Sequence, residues 1–225
     1  MVKAAVILSG CGYLDGAEIR ESVLALLALD QQGAEVHIFA PDIAQMHVVD
    51  HVARSPVDGT RNVLQEAARI ARSDVKALSL LDMKGFDLLV IPGGFGVAKN
   101  LSDLAIKGAQ AAILPDFQRV IDSAYAQKKP IAAICIAPAV LSLALKNKGI
   151  TVTIGEDAGT AEVIQSSGNN HQNCASDSCV VDDANHIVTC SAYMREDTLS
   201  AIAKGIDACI RTAVTMAKNQ RKVAA

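Results

Sequence analysis

The chain has no tryptophan, and three tyrosines and four phenylalanines bring its aromatic content to only 3%. Proteins that hold single-stranded nucleic acid stack its bases on aromatic faces beside a basic track. Here the net charge is −3. The one basic cluster, residues 218–222, closes a predicted C-terminal helix, where cations suit the helix dipole. Nucleic acid is not an expected partner. A membrane is not expected either. The longest uncharged stretch, residues 130–145, contains a proline and falls short of a bilayer span. The apolar run at residues 4–8 is too short for a secretory leader.

Disulfide-framework spacing is also missing. Six cysteines in 225 residues suggest free thiols in a reducing compartment, so a cytoplasmic location is expected. His171, Cys174 and Cys179 lack a fourth ligand and C-x-x-C spacing, so no metal is expected. Gly10-x-Gly12-x-x-x-Gly16 misses the dinucleotide fingerprint by one residue, and no acid ends the second predicted strand. No cofactor is implied.

Hydrophobic residues are plentiful, at 51%. With so few aromatics, the core has to be built from Ala, Val, Ile and Leu, as in a parallel sheet covered on both faces by helices. The patterning predicts strands over residues 2–8, 35–40, 86–91, 131–134 and 151–154, with a shorter one within 45–52. It predicts helices over 17–32, 62–71, 113–127, 139–146, 160–165 and 198–218. Ile19, Val23, Leu26, Leu27 and Leu29 form the apolar face of the first helix. Residues 179–183 and 186–190 read as a hairpin. This alternation implies an α/β fold with a mainly parallel sheet, in a single domain spanning residues 1–225. Strands 86–91 and 131–134 are expected near its centre. Residues 166–178, polar and long, read as a loop with functional potential.

The chemistry concentrates in Pro130-Ile131-Ala132-Ala133-Ile134-Cys135-Ile136-Ala137-Pro138. A buried strand runs into a helix whose first turn accepts Pro138. Cys135 therefore falls on a sharp strand-to-helix turn. Ala133 and Ala137 are small enough to permit such a nucleophile elbow. A thiol there feels the positive end of the helix dipole, which favours thiolate. The other reading is a buried structural cysteine. Two more loops are expected at the same strand ends. One carries Gly10, Cys11, Gly12, Asp15, Gly16, Glu18 and Glu21. The other is Pro92-Gly93-Gly94-Phe95-Gly96. The N–H groups of Gly94 and Ile136 would make a two-donor oxyanion hole. Glu18 reads as a surface partner of a helix dipole. Glu21 has apolar neighbours and reads as a buried acid able to shuttle a proton with a thiolate. A Cys-His-Glu triad would need a His beyond the elbow, and His171-Gln172-Asn173 offers an amide in place of the acid.

Several stretches together resemble a known family: Leu8-Ser9-Gly10-Cys11-Gly12, Asp15-Gly16-Ala17-Glu18-Ile19, residues 90–96 with 98–101, Cys135-Ile136-Ala137-Pro138, Thr160-Ala161-Glu162-Val163 and Ala192-Tyr193-Met194. The chain is similar to the enhancing-lycopene-biosynthesis proteins (isoprenoid biosynthesis proteins with an amidotransferase-like domain) of the ThiJ/PfpI superfamily. The resemblance implies a flavodoxin-like, class I glutamine amidotransferase-like sandwich and a homodimer. It also implies a reactive Cys135 contacted by Glu21, with oxyanion-hole donors at Gly94 and Ile136. The activity implied is that of a glutathione-independent glyoxalase, a lyase acting on glyoxal, a small dicarbonyl substrate, without cofactor. Where many superfamily members place a His, this chain has Thr153-Ile154-Gly155-Glu156, which argues against protease and amidotransferase chemistry. A non-enzymatic alternative uses the same thiol: a redox-responsive or partner-binding protein oxidised at Cys135.

Overall fold

The computed structural model of the chain describes residues 1–224. Seven strands form the main sheet: β1 (Lys3–Ile7), β2 (Glu35–Ala40), β5 (Lys76–Ala77), β6 (Leu88–Ile91), β7 (Ile131–Ile134), β10 (Val180–Asp182) and β11 (Ile187–Cys190). Their order is β10-β11-β7-β6-β1-β2-β5. Every pairing is parallel except the β10–β11 hairpin. β6 and β7 lie near the centre, as expected. Two small sheets stand apart, β3 (Val48–Asp50) with β4 (Ser55–Val57), and β8 (Thr151–Val152) with β9 (Asn170–His171). Residues 151–154 therefore give a two-residue strand outside the main sheet. Residues 166–178, expected as a loop, supply its partner.

Alternate residues of each strand enter different cores. Ala5, Ile7, Leu89, Ile91, Ile131 and Ala133 face one layer of helices, α3 (Phe95–Lys99), α5 (Pro115–Ala126), α6 (Ala137–Ala144) and α7 (Ala158–Ser166). Ala4, Val6, Leu88, Val90, Ala132 and Ile134 face the other, chiefly α1 (Ile19–Gln31) and α8 (Leu199–Ala224), with α2 (Val63–Ile70) alongside. The result is a flavodoxin-like three-layer sandwich. A short α4 (Leu104–Lys107) follows α3. The strand order reverses between β1 and β6, which places the loops after β1, β6 and β7 side by side at the carboxyl edge.

α1 is rotated from the orientation expected. Ile19, Val23 and Leu27 are 47%, 50% and 49% exposed, while Glu21, Ser22, Ala25, Ala28 and Leu29 are buried. Ala25 and Ala28 bring the helix close to the sheet and α8. Glu21, on the same face, is carried inward with them. The apolar spacing identified a helix and the burial of Leu29, but the rest of the buried face is set by small residues and one acid.

Candidate active site

Cys135 follows β7 directly and has φ +63°, a left-handed conformation that residues with a side chain adopt only at a cost. Its N–H donates to Cys190 O at 2.9 Å, extending the β7–β11 pairing by one residue. Ile136 and α6 then turn the chain away. Cys135 is only 7% exposed and forms the floor of a cavity of about 810 Å³. Tyr13, Phe95, Tyr193, Met194, Arg20 and Arg54 are among the residues that wall it.

Glu21 is fully buried beside Cys135: a Cβ added to Gly93 would meet both side chains. Its carboxyl accepts from Gly93 N–H at 3.0 Å through Oε2 and from Tyr193 N–H at 3.3 Å through Oε1. Burial, and then the nearby Glu18, push its pKa up to about 8, although the bonds from Cys135, Tyr193 and Gly93 act in the opposite sense. At neutral pH the acid thus keeps its proton. The Cys135 thiol is likewise pushed well above its ordinary range, by burial and by Glu21. Gly94 and Ile136 N–H groups donate to the sulfur and oppose that rise. An exposed thiol acidified by a helix dipole, the sequence expectation, is therefore corrected. Sulfur and acid share one buried site, and each makes the other harder to ionise.

Gly93 and Gly94 make this packing possible. Gly94 has φ +98°. A Cβ on Gly93 would collide with Cys135 Cβ and lie 2.6 Å from Glu21 Oε2. Gly93→Ala is expected to cost about 1–3 kcal/mol through overpacking. Thermal denaturation should register this as a drop of roughly 3–10 °C in Tm. An unchanged Tm would mean that the glycine fills no steric role.

The structure thus brings together Cys135, Glu21, Gly94 and Ile136. It does not bring in His171, which lies on β9 with Nε2 3.4 Å from Ile154 N, outside the cavity lining. The Gly10–Gly16 loop is no phosphate cradle. Gly12 and Gly16 N–H groups bond within the loop, to Ala17 O at 2.9 Å and Gly12 O at 2.6 Å, and the loop after β6 packs on it through Gly96 N–H to Gly16 O at 2.8 Å. Asp15 is buried and accepts from Val49 N–H at 2.8 Å, tying down the β3–β4 hairpin that carries Arg54 to the cavity. Among the described residues no group of three or more His, Cys, Asp or Glu could hold a metal ion. No described helix is long and apolar enough to cross a membrane, and all six cysteines are free. Two participants were not foreseen as such. Glu18, expected at the surface, is half-buried on the cavity wall, and the backbone of Tyr193, in the turn Ala192–Met194, holds Glu21. The three-residue interval from Glu18 to Glu21, that of a capping box, is the signal that could have drawn attention to Glu18.

A mainly parallel sandwich with a strained cysteine after a central strand, set against a buried glutamate, defines a class I glutamine amidotransferase-like protein. A family model agrees over residues 7–203, and the chain belongs to the DJ-1/PfpI family. It is similar to an isoprenoid biosynthesis protein with amidotransferase-like domain from Ehrlichia chaffeensis, whose crystal structure matches with a TM-score of 0.91 and 44% identity, covering 96% of this chain and 99% of that one. It is 42% identical to the human glutamine amidotransferase-like class 1 domain-containing protein 3, mitochondrial, over 93% of this chain and 81% of the relative. It is 41% identical to the ES1 protein homolog, mitochondrial, of Rattus norvegicus, over 93% and 82%. The fold also matches glyoxalase III from Candida albicans, with a TM-score of 0.62 and 15% identity over 96% and 97% of the two chains. At that identity the likeness shows the fold alone.

The human and rat relatives, and the ES1 protein of Danio rerio, are named as mitochondrial proteins. This overturns the cytoplasmic placement expected from the sequence. Free thiols separate reducing from oxidising compartments; they do not separate the cytosol from other reducing ones.

Proposed function

We propose that the chain is a cofactor-independent glyoxalase that converts glyoxal and water to glycolate. The observation that supports this reading is the fully buried Glu21 carboxyl set beside the elbow cysteine around Gly93. Carbon-to-carbon proton transfer needs such an acid beside a nucleophile. The Cys135 thiolate adds to one aldehyde carbon, and the Glu21 proton passes to the oxygen, giving a hemithioacetal. Glu21, now a carboxylate, removes the hydrogen on that carbon to form an enediol and returns it to the second carbon. The product is a glycolyl thioester on Cys135. Water hydrolyses it, releasing glycolate and restoring the thiol. Gly94 and Ile136 N–H groups, which rest against the sulfur, stabilise the oxyanions.

The test is glycolate formation from glyoxal by the purified protein, followed by NMR. A rate no higher than that of Cys135→Ala would overturn the reading and leave the redox-responsive alternative in its place. The reading includes a homodimer, supported by the exposed apolar stripe Ile19, Val23 and Leu27 on α1. Replacing Val23 and Leu27 with Lys is expected to halve the mass seen by sedimentation. A mass unaffected by the pair of substitutions rules this face out.

A further inference from the structure

The cavity above Cys135 encloses about 810 Å³. Pockets of about 300–1,000 Å³ suit drug-sized ligands, so glyoxal, with two carbons and two oxygens, leaves most of it unfilled. Two guanidiniums stand on its wall. Arg20 donates to the Tyr193 hydroxyl at 3.1 Å and lies 6.0 Å from the centre of that ring. Arg54, exposed on the β3–β4 hairpin, has no carboxylate in ion-pair range among the described residues, which leaves its fork of N–H donors unclaimed by an acid.

The hairpin is fastened where it stands. Asp50 Oδ1 accepts the N–H groups of Val52 at 2.8 Å and Ala53 at 3.0 Å, closing the turn. Val49 N–H donates to Asp15 at 2.8 Å, and Leu14 N–H to His51 Nε2 at 3.4 Å. Both bonds seat the hairpin on the loop after β1, which brings Tyr13 to the same wall. Arg54 ends the turn with φ +55°, a conformation that suits glycine and strains other residues. Three acids share the wall. Glu18 accepts from Glu21 N–H at 2.6 Å and Asp157 from Thr160 N–H at 2.8 Å, so both carboxyls serve the starts of their own helices. Glu196 is the third. Beside them a monoanion is less opposed than a phosphate dianion, and one guanidinium fork matches one carboxylate.

We propose that Arg54 is a specificity-determining residue that grips a carboxylate, and that the substrate is an α-oxoaldehyde whose tail ends in one. The proposal rests on the glyoxalase reading and narrows it. The steps are those given for glyoxal. The thiolate adds to the aldehyde carbon, the hydrogen on that carbon moves to the neighbouring keto carbon, and water releases an α-hydroxy acid from the thioester. The tail takes no part in them and serves only to hold the molecule.

The test is mass-resolved alkylation of Cys135 by two reagents with the same reactive head, N-iodoacetyl-β-alanine and N-propyl iodoacetamide. The sulfur displaces iodide from each, and only the first has a carboxylate tail. Their rate ratio on the protein is divided by that on free N-acetylcysteine amide. Wild type is expected to favour the carboxylate about fivefold, the upper end for a partly exposed ion pair, and added salt to shrink the preference. Arg54→Gly removes the charge at a position that suits glycine, so the fold should persist and the preference vanish. Arg54→Lys keeps the charge and should retain part of it. A wild-type protein without the preference overturns the proposal, as does an Arg54→Gly variant that keeps it. So does an Arg54→Lys variant that loses as much as Arg54→Gly, because charge is then not what is read. Turnover supplies a second measure: kcat/KM for an α-oxoaldehyde with a propanoate tail should exceed that for its methyl ester by a similar factor, and equal values overturn the proposal. If no aldehyde is turned over while the alkylation preference is present and depends on Arg54, the carboxylate site stands and the glyoxalase reading falls. If glyoxal is turned over and the preference is absent, the reverse holds.

Discussion

Cys135→Ala is expected to abolish glycolate formation, lowering kcat/KM for glyoxal by at least about 10³, the scale on which covalent catalysis fails when its nucleophile is removed. The same substitution deletes one partner of a buried, coupled pair. Without the sulfur, Glu21 keeps its bonds from Gly93 and Tyr193. The variant should therefore stay folded, with Tm within a few degrees of wild type, so lost activity reads as lost chemistry. Mass-resolved alkylation supplies a second measure. Wild type is expected to be labelled first at Cys135, because it alone of the six thiols lines the cavity. Undiminished turnover in Cys135→Ala, or first labelling at Cys11, Cys174 or Cys179, would identify a different nucleophile.

The second large effect is that of Glu21→Gln. Turnover is expected to fall by about 10²–10⁴, the usual contribution of a positioned acid–base group. Stability should move the other way. The carboxyl titrates near 8 in the folded chain and near 4.5 when unfolded. Between those values the folded state holds the extra proton, so stability declines as pH rises through the window and levels off above it. The integrated loss is on the order of a few kcal/mol. Gln carries no such dependence. Urea denaturation at pH 5 and pH 8 should show wild type losing stability between the two, and Glu21→Gln losing much less. Parallel losses in both proteins would mean that Glu21 is ionised throughout. A raised thiol pKa at Cys135 adds a further decline only above the ordinary cysteine range, outside this window.

Much of the architecture was legible because two signals are local. The run Ile131–Ile134 is apolar on both faces, as only a central strand of a covered sheet can be, and Pro138 marks the helix that follows. The elbow between them could be read for the same reason. Side-chain orientation in α1 could not be. Val23 and Leu27 outweigh Ala25 and Ala28 on any hydropathy scale, yet close approach to the sheet favours the alanines. The short strands β5 and β9, two residues each, carry too little pattern to announce themselves. The pairing of Glu21 with Cys135 came from family resemblance. The Gly93 peptide that clasps the acid is a contact between residues 72 apart, which no local pattern encodes.

The clasp around Glu21 joins distant parts of the sequence, since the Tyr193 N–H that holds it lies 172 residues away. Until β11 has paired beside β7, the turn that carries Tyr193 cannot be set against Glu21, and the site around Cys135 lacks one of its walls. The thiol's chemical character is therefore a readout of completed folding. Its alkylation, followed during refolding, times the closure of the whole sheet from a single sulfur atom.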